Sequence, residues 1–263
     1  MYIDFHTHAF PPKIAQKAVE HLSHLSGGLI YQTDGTAEGL IASMQAGGID
    51  KSVVLNIATN EHQQTKVNDF AASINDKASI FAFGSVYPRS KDAIAELERI
   101  AELGLLGVKL HPDYQSFSVD DEFMRPIYKK ISELGLICVF HAGHDIGFAP
   151  PYGNTPEKMA RALEWFDSPV VAAHLGGVGC YEGVLERLVG REVYFDTAFC
   201  YGTVPKYYVE KIIELHGADR ILFGTDTPWH APYMEKRLID SLGLSDEDKE
   251  KITHLNAEKL LGI

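Results

Sequence analysis

The chain has 263 residues, 45% of them hydrophobic and 23% charged, which suits a soluble globular protein with a core as large as a barrel needs. A formal net charge of -12 argues against a nucleic-acid backbone or an anionic membrane surface as partner, and leaves small substrates open. No run approaches the roughly 18 apolar residues of a membrane span. No charged and apolar signal pattern opens the chain, and Cys138, Cys180 and Cys200 show no CxxC spacing. The three read as free thiols in a reducing compartment, with the cytosol (a cytoplasmic location) as the expectation.

In chain order, Tyr2-Ile3-Asp4-Phe5 reads as a short apolar strand that runs into His6-Thr7-His8. Residues i and i+2 of a strand share a face, so His6 and His8 can point at one atom, and two imidazoles on one face propose a divalent metal. Pro11-Pro12 breaks the run. The stretch 11–47 holds helical residues from Lys13 to His24 and a helix capped by Thr36, ended by Gly47-Gly48; it is longer than one helix needs and is expected to be an insertion over a barrel mouth. Further buried strands are predicted at 51–57, 80–87, 105–111, 136–141, 170–174, 193–196 and 220–226. Helices are predicted between them, one capped by Ser90 and one started by Thr155-Pro156-Glu157; the last helix of the chain is expected to be capped by Asn256. The apolar strands lack in/out alternation, which means a parallel sheet covered on both faces. Eight such units predict a single-domain α/β fold, a (β/α)8 TIM barrel; a doubly wound sheet is the alternative and would need its ligand groups at one switch point.

The polar residues fall at one edge of this pattern. His6 and His8 end the first strand, Lys109 and His111 the fourth, His141 the fifth, His174 the sixth and Asp226 the eighth. Ionisable groups are costly in apolar strands unless they are paired or ligate something. In a barrel these ends meet at the face where active sites lie.

The order of motifs resembles the metal-dependent amidohydrolase superfamily, in particular its amidohydrolase 2 branch. The matching pieces are His6-Thr7-His8, Gly107-Val108-Lys109-Leu110-His111-Pro112, His141-Ala142-Gly143, His174-Leu175-Gly176-Gly177 and Phe223-Gly224-Thr225-Asp226-Thr227-Pro228-Trp229. The resemblance implies that His6, His8, His141 and Asp226 hold the metal. Three imidazoles and a carboxylate suit zinc with a place for water. It further implies Asp226 as general base, with His174 bonding the water or polarising substrate. Lys109 and His111 share a face and are expected to contact substrate; in two-metal relatives a lysine on this strand is carboxylated and bridges a second ion. Arg89 is a candidate carboxylate clamp. His144 and Asp145 read as loop residues, and Tyr114 and Trp229 as packing or pocket walls.

The leading expectation is a metal-dependent hydrolase of a small amide, lactone or ester using a metal-activated water. The alternative is a non-oxidative decarboxylase of a small unsaturated or aromatic carboxylate on the same site. A binding module without catalysis would have lost ligands, and none of the four is missing. A homodimer is what the resemblance suggests for assembly.

Overall fold

The computed structural model describes all residues, Met1–Ile263. Its strands are β1 (Ile3–Thr7), β2 (Lys51–Leu55), β3 (Ile80–Phe83), β4 (Gly107–Leu110), β5 (Ile137–Phe140), β6 (Val170–Ala172), β7 (Tyr194–Asp196) and β8 (Ile221–Leu222). All neighbours pair in parallel, in the runs β1-β2-β3 and β4-β5-β6-β7-β8. Two seams join the runs. Gly84 N–H donates to Gly107 O at 2.9 Å and Lys109 N–H to Gly84 O at 2.8 Å; on the other side Phe5 N–H donates to Phe223 O and Asp226 N–H to His6 O, both at 2.8 Å. The sheet is therefore closed and has no free edge: this is the single-domain (β/α)8 TIM barrel.

Alternation along the strands makes two cores. Ile3, Phe5, Val53, Leu55, Phe81, Phe83, Val139, Val171 and Leu222 pack together inside the barrel. Their neighbours Val54, Ala82, Val108, Cys138, Phe140, Ala172 and Phe195 face the helices. β1 breaks its own alternation. Asp4 pairs with Ser52 but Thr7 pairs with Val54, so β1 holds one extra residue. Such a bulge swaps the faces. It brings His6 and His8 round to the side that Ile3 and Phe5 occupy lower down.

The strands stop earlier than the apolar runs suggest. β8 has two residues because the next amides leave the ladder: Phe223 N–H goes to Ile252 O, Gly224 N–H to Thr197 Oγ1 and Thr225 N–H to Asp4 Oδ1. Thr36 caps its helix (Ala37–Gly47) as expected, its Oγ1 accepting from Gly39 N–H at 2.9 Å. Ser90 does not: the helix begins at Ala93, and Ser90 Oγ accepts from Asp92 N–H and Gln64 Nε2. Nor does Thr155 make a capping bond ahead of Pro156–Ala162. Asn256 is already helical; its Nδ2 donates to Ala218 O and Ile221 O at 2.7 Å each, tying the last helix to the entry of β8. Between β1 and β2 stand two helices, Ala15–Leu25 and Ala37–Gly47, and Gln32 N–H between them donates to Pro228 O at 2.6 Å in the loop after β8. No helix is long and apolar enough to cross a membrane.

Candidate active site

The C-terminal ends of β1, β4, β5, β6, β7 and β8 deliver one cluster of side chains. His8 Nε2 lies 3.0 Å and His6 Nε2 3.4 Å from Asp226 Oδ1. Each ring is held by its other nitrogen. His8 Nδ1 sits 2.8 Å from Leu55 O, and His174 Nδ1 sits 2.9 Å from Ala198 O. A carbonyl only accepts, so both Nδ1 atoms carry the proton. His6 Nδ1 faces Asp196 Oδ2 at 2.8 Å. Asp196 is fully buried; burial opposes its charge, but the facing His6 and the His174 amide hold it below the usual carboxylate range. It is a carboxylate, and His6 Nδ1 donates to it.

The Nε2 lone pairs of His6 and His8 therefore point at a carboxylate oxygen. His8 Nε2 meets it acceptor to acceptor, a contact that repels unless a cation lies between, whereas His6 Nε2 also has the Lys109 ammonium 3.3 Å away. The ligand atoms of His6, His8 and Asp226 lie within 4.8 Å of one another, close enough to share one ion. His141 Nε2 is buried and has no hydrogen-bond partner, but its ligand atom groups with those of His111 and Asp145 and not with the His6, His8 and Asp226 set. A divalent ion would relieve the contact at Asp226, so His6, His8 and Asp226 fit the metal the motif implies.

The other expected residues divide. His174 joins the cluster, its ring 5.0 Å from those of both His6 and His141. Lys109 is 1% exposed, and its Nζ lies 3.3 Å from His6 Nε2. Burial lowers its pKa to about 8, against the pull of Asp196 and Asp226. Burial and the Lys109 charge push His6 down to about 3, so that ring is neutral. His111 stacks on His141 at 4.2 Å, and its Nδ1 accepts from Tyr114 N–H, which leaves Nε2–H to face Asp145 Oδ2 at 3.2 Å. Burial keeps both His111 and His141 neutral, their pKa values well below the ordinary range. Asp145 thus belongs to the site's edge. Tyr114 packs edge-on against His111 at 4.6 Å and Phe148 at 4.8 Å, making an aromatic wall. Arg89 is not brought in: it is exposed, lies over Phe123 at 4.5 Å and donates to Ser116 O. His144 contacts Cys180 Sγ at 3.1 Å and stacks on Tyr152. Trp229 is half-buried in the turn after Asp226.

The loops that carry the site are strained and tightly held. His174, Leu175, Phe199 and Asp226 all have φ between +53° and +69°. Each such residue costs about 1–3 kcal/mol, and such costs gather at functional sites. Two glycines in the motifs are required by close approach. A Cβ on Gly143 would meet Val178 N at 2.1 Å, and one on Gly176 would meet the Phe195 ring at 2.8 Å. Asp196 escaped the sequence reading, although an acid ending the apolar run Val193-Tyr194-Phe195 is the same signal that marked Asp226.

A family model described as Amidohydrolase matches residues 3–263. No curated protein matches the sequence. Among solved structures, the fold is similar to an uncharacterized TIM-barrel protein, Bb4693, from Bordetella bronchiseptica, at TM-score 0.81 and 22% identity over 99% of this chain and 98% of that one. It is similar to a 2,6-dihydroxybenzoate decarboxylase complexed with 2,6-dihydroxybenzoate, at TM-score 0.76 and 18% identity over 100% and 99% of the two chains. It is also similar to a 5-carboxyvanillate decarboxylase from Novosphingobium aromaticivorans with bound manganese and a hydroxy-methoxy-nitrobenzoic acid, at TM-score 0.73 and 17% identity over 100% and 97%. These identities carry the fold alone, whereas the family model spans nearly every residue: the chain belongs to the amidohydrolase family, in its amidohydrolase 2 branch.

Proposed function

We propose that the protein is a metal-dependent, non-oxidative decarboxylase of a small unsaturated or aromatic carboxylate. The observation that carries this reading is Lys109. It is a fully buried ammonium beside His6 and Asp226, bonded only to a ring nitrogen. An ammonium has three donors, so it has hydrogen bonds to give an anion. A neutral amide or lactone would leave that charge unpaired, which makes the hydrolase the weaker reading for this site. Two of the similar structures are named as decarboxylases of aromatic acids, which supports the same choice.

His6, His8 and Asp226 would hold the divalent ion; zinc suits the donors, and a similar protein is crystallised with manganese. When bound there, the ion supplies positive charge that anchors an oxyanion and polarises it. Lys109 grips the substrate carboxylate from the other side. Arg89, turned to the surface, leaves that task to Lys109. His174, fixed by Ala198 O, turns Nε2 toward the substrate and orients it. As the C–C bond to the carboxylate breaks, its electron pair stays on the substrate carbon and CO2 departs. Lys109, with its pKa near 8, then gives that carbon a proton. The His111–Tyr114–Phe148 wall suits a flat ring.

The test is turnover of a panel of aromatic and unsaturated acids by metal-loaded protein in oxygen-18 water. Release of CO2 with no label in the organic product is expected. Label in the organic product would mean hydrolysis and would overturn the proposal.

A further inference from the structure

Asp4 is 1% exposed, stands outside the His6, His8 and Asp226 set, and binds the backbone that carries it. In the bulge of β1, His6 N–H is taken by Asp4 Oδ1 at 3.2 Å. The other bonds of Asp4 cross to the loop after β8. Thr225 N–H donates to Oδ1 at 2.9 Å, and Thr225 Oγ1 donates to Oδ2 at 2.6 Å. Thr225 and Thr227 flank Asp226, and both are fully buried. Thr225 Oγ1 also accepts from Thr227 N–H at 2.9 Å and lies 2.8 Å from Thr227 Oγ1. Two backbone bonds close the frame: Asp226 N–H donates to His6 O at 2.8 Å, and His8 N–H to Thr227 O at 2.7 Å. The backbone of all three ligands is thus tied together by side chains that ligate nothing. Asp226 needs such a frame. Its φ is +69°, a conformation that a residue other than glycine keeps only where its surroundings over-determine it.

We propose that Asp4 and Thr225 are positioning residues that set the His6–His8–Asp226 triad in its ion-binding geometry before any ion arrives; this rests on the metal reading of the site and holds for either reaction. A triad already in place spares the ion the cost of ordering its ligands, so the frame acts on affinity. The Thr225 hydroxyl is the link that can be removed alone. Thr225→Val keeps the size of the side chain and takes their shared partner from Asp4 Oδ2 and Thr227 N–H, one on each side of the β1–β8 seam. Asp226, between Thr225 and Thr227, then loses the hold on both its neighbours. Thr225→Ser keeps the hydroxyl and with it the frame.

The experiment is manganese titration of the full-length protein stripped of metal. Free ion is followed by its electron paramagnetic resonance signal, at a temperature where circular dichroism shows each variant folded. Thr225→Val is expected to bind manganese about tenfold more weakly than wild type, the lower end for removing a group that orients metal ligands. Thr225→Ser should stay within about twofold of wild type. Where valine fails to fold, Thr225→Ala removes the same hydroxyl without overfilling the site. Asn256→Ala is the control. It loosens the entry of β8 and lowers stability but leaves the frame intact, so its manganese affinity should stay within about twofold. A merely structural Thr225 would lower the urea midpoint in its valine variant and spare the affinity of the folded protein. Affinity within twofold of wild type in the variants lacking the hydroxyl overturns the inference. So does a loss in Thr225→Ser or Asn256→Ala as large as theirs. Failure of wild type to bind manganese overturns the metal reading itself and the inference with it.

Discussion

Lys109 is the residue whose placement costs the fold most plainly. Its ammonium is buried, and its pKa is lowered from 10.5 to about 8. A lowered pKa on a base means that the folded protein holds the proton less well than the unfolded chain does. Below about pH 8 both states are protonated and the folded state carries the whole penalty. The penalty shrinks as pH rises from about 8 to 10.5, where the unfolded chain loses its proton too. Lys109→Met should therefore stabilise the protein at pH 7 by on the order of 2–3 kcal/mol. The gain should fade toward pH 10.5, and binding of small carboxylates should be lost. Urea denaturation at pH 7 and pH 10 checks it; a destabilised variant at pH 7 would show that Lys109 is structural. Asp196 works beside Lys109. It keeps the proton of His6 on Nδ1 and so leaves Nε2 free.

At the scale of elements, the barrel is held at its seams as much as by its strands. β8 has two residues in the ladder, and Asn256 supplements it by donating to Ala218 O and Ile221 O. Asn256→Ala removes both bonds, although Ala218 O still accepts from Ile221 N–H. It should cost about 1–2 kcal/mol, read as the loss in urea midpoint. Much of this layer was legible in the residues. Continuous apolar runs broken by glycine and proline gave the eight strands, because a covered parallel sheet demands them. The polar residues at their ends marked the cluster for the same reason: burial without a partner is costly. What was hidden depends on partners far along the chain. Glu235 is an ordinary acid in a helical pattern until His230 and Tyr201 are placed against it. Asp145 looks like a loop residue until β4 sets His111 beside it. Arg89 has the right chemistry for a clamp, but Phe123 and Ser116 turn it outward, and no local pattern encodes that. The extra residue in β1 is equally invisible, since it exists only relative to the register of β2.

At the scale of the whole molecule, closure of the barrel brings together residues 218 positions apart, as in the His8–Asp226 contact at 3.0 Å. The cluster is electrostatically incomplete by itself, with the His8 Nε2 lone pair turned on the Asp226 carboxylate. A divalent ion held by His6, His8 and Asp226 would complete it and would tie β1 to the loop after β8 across the mouth. That ion is the central claim, and metal content is its most direct measurement. Elemental analysis of purified wild type, reloaded with zinc or manganese and desalted, should give one divalent ion per chain at this site. The His6→Ala/His8→Ala double variant, folded by circular dichroism, should give none. Retention of the full wild-type stoichiometry by the double variant would contradict the account.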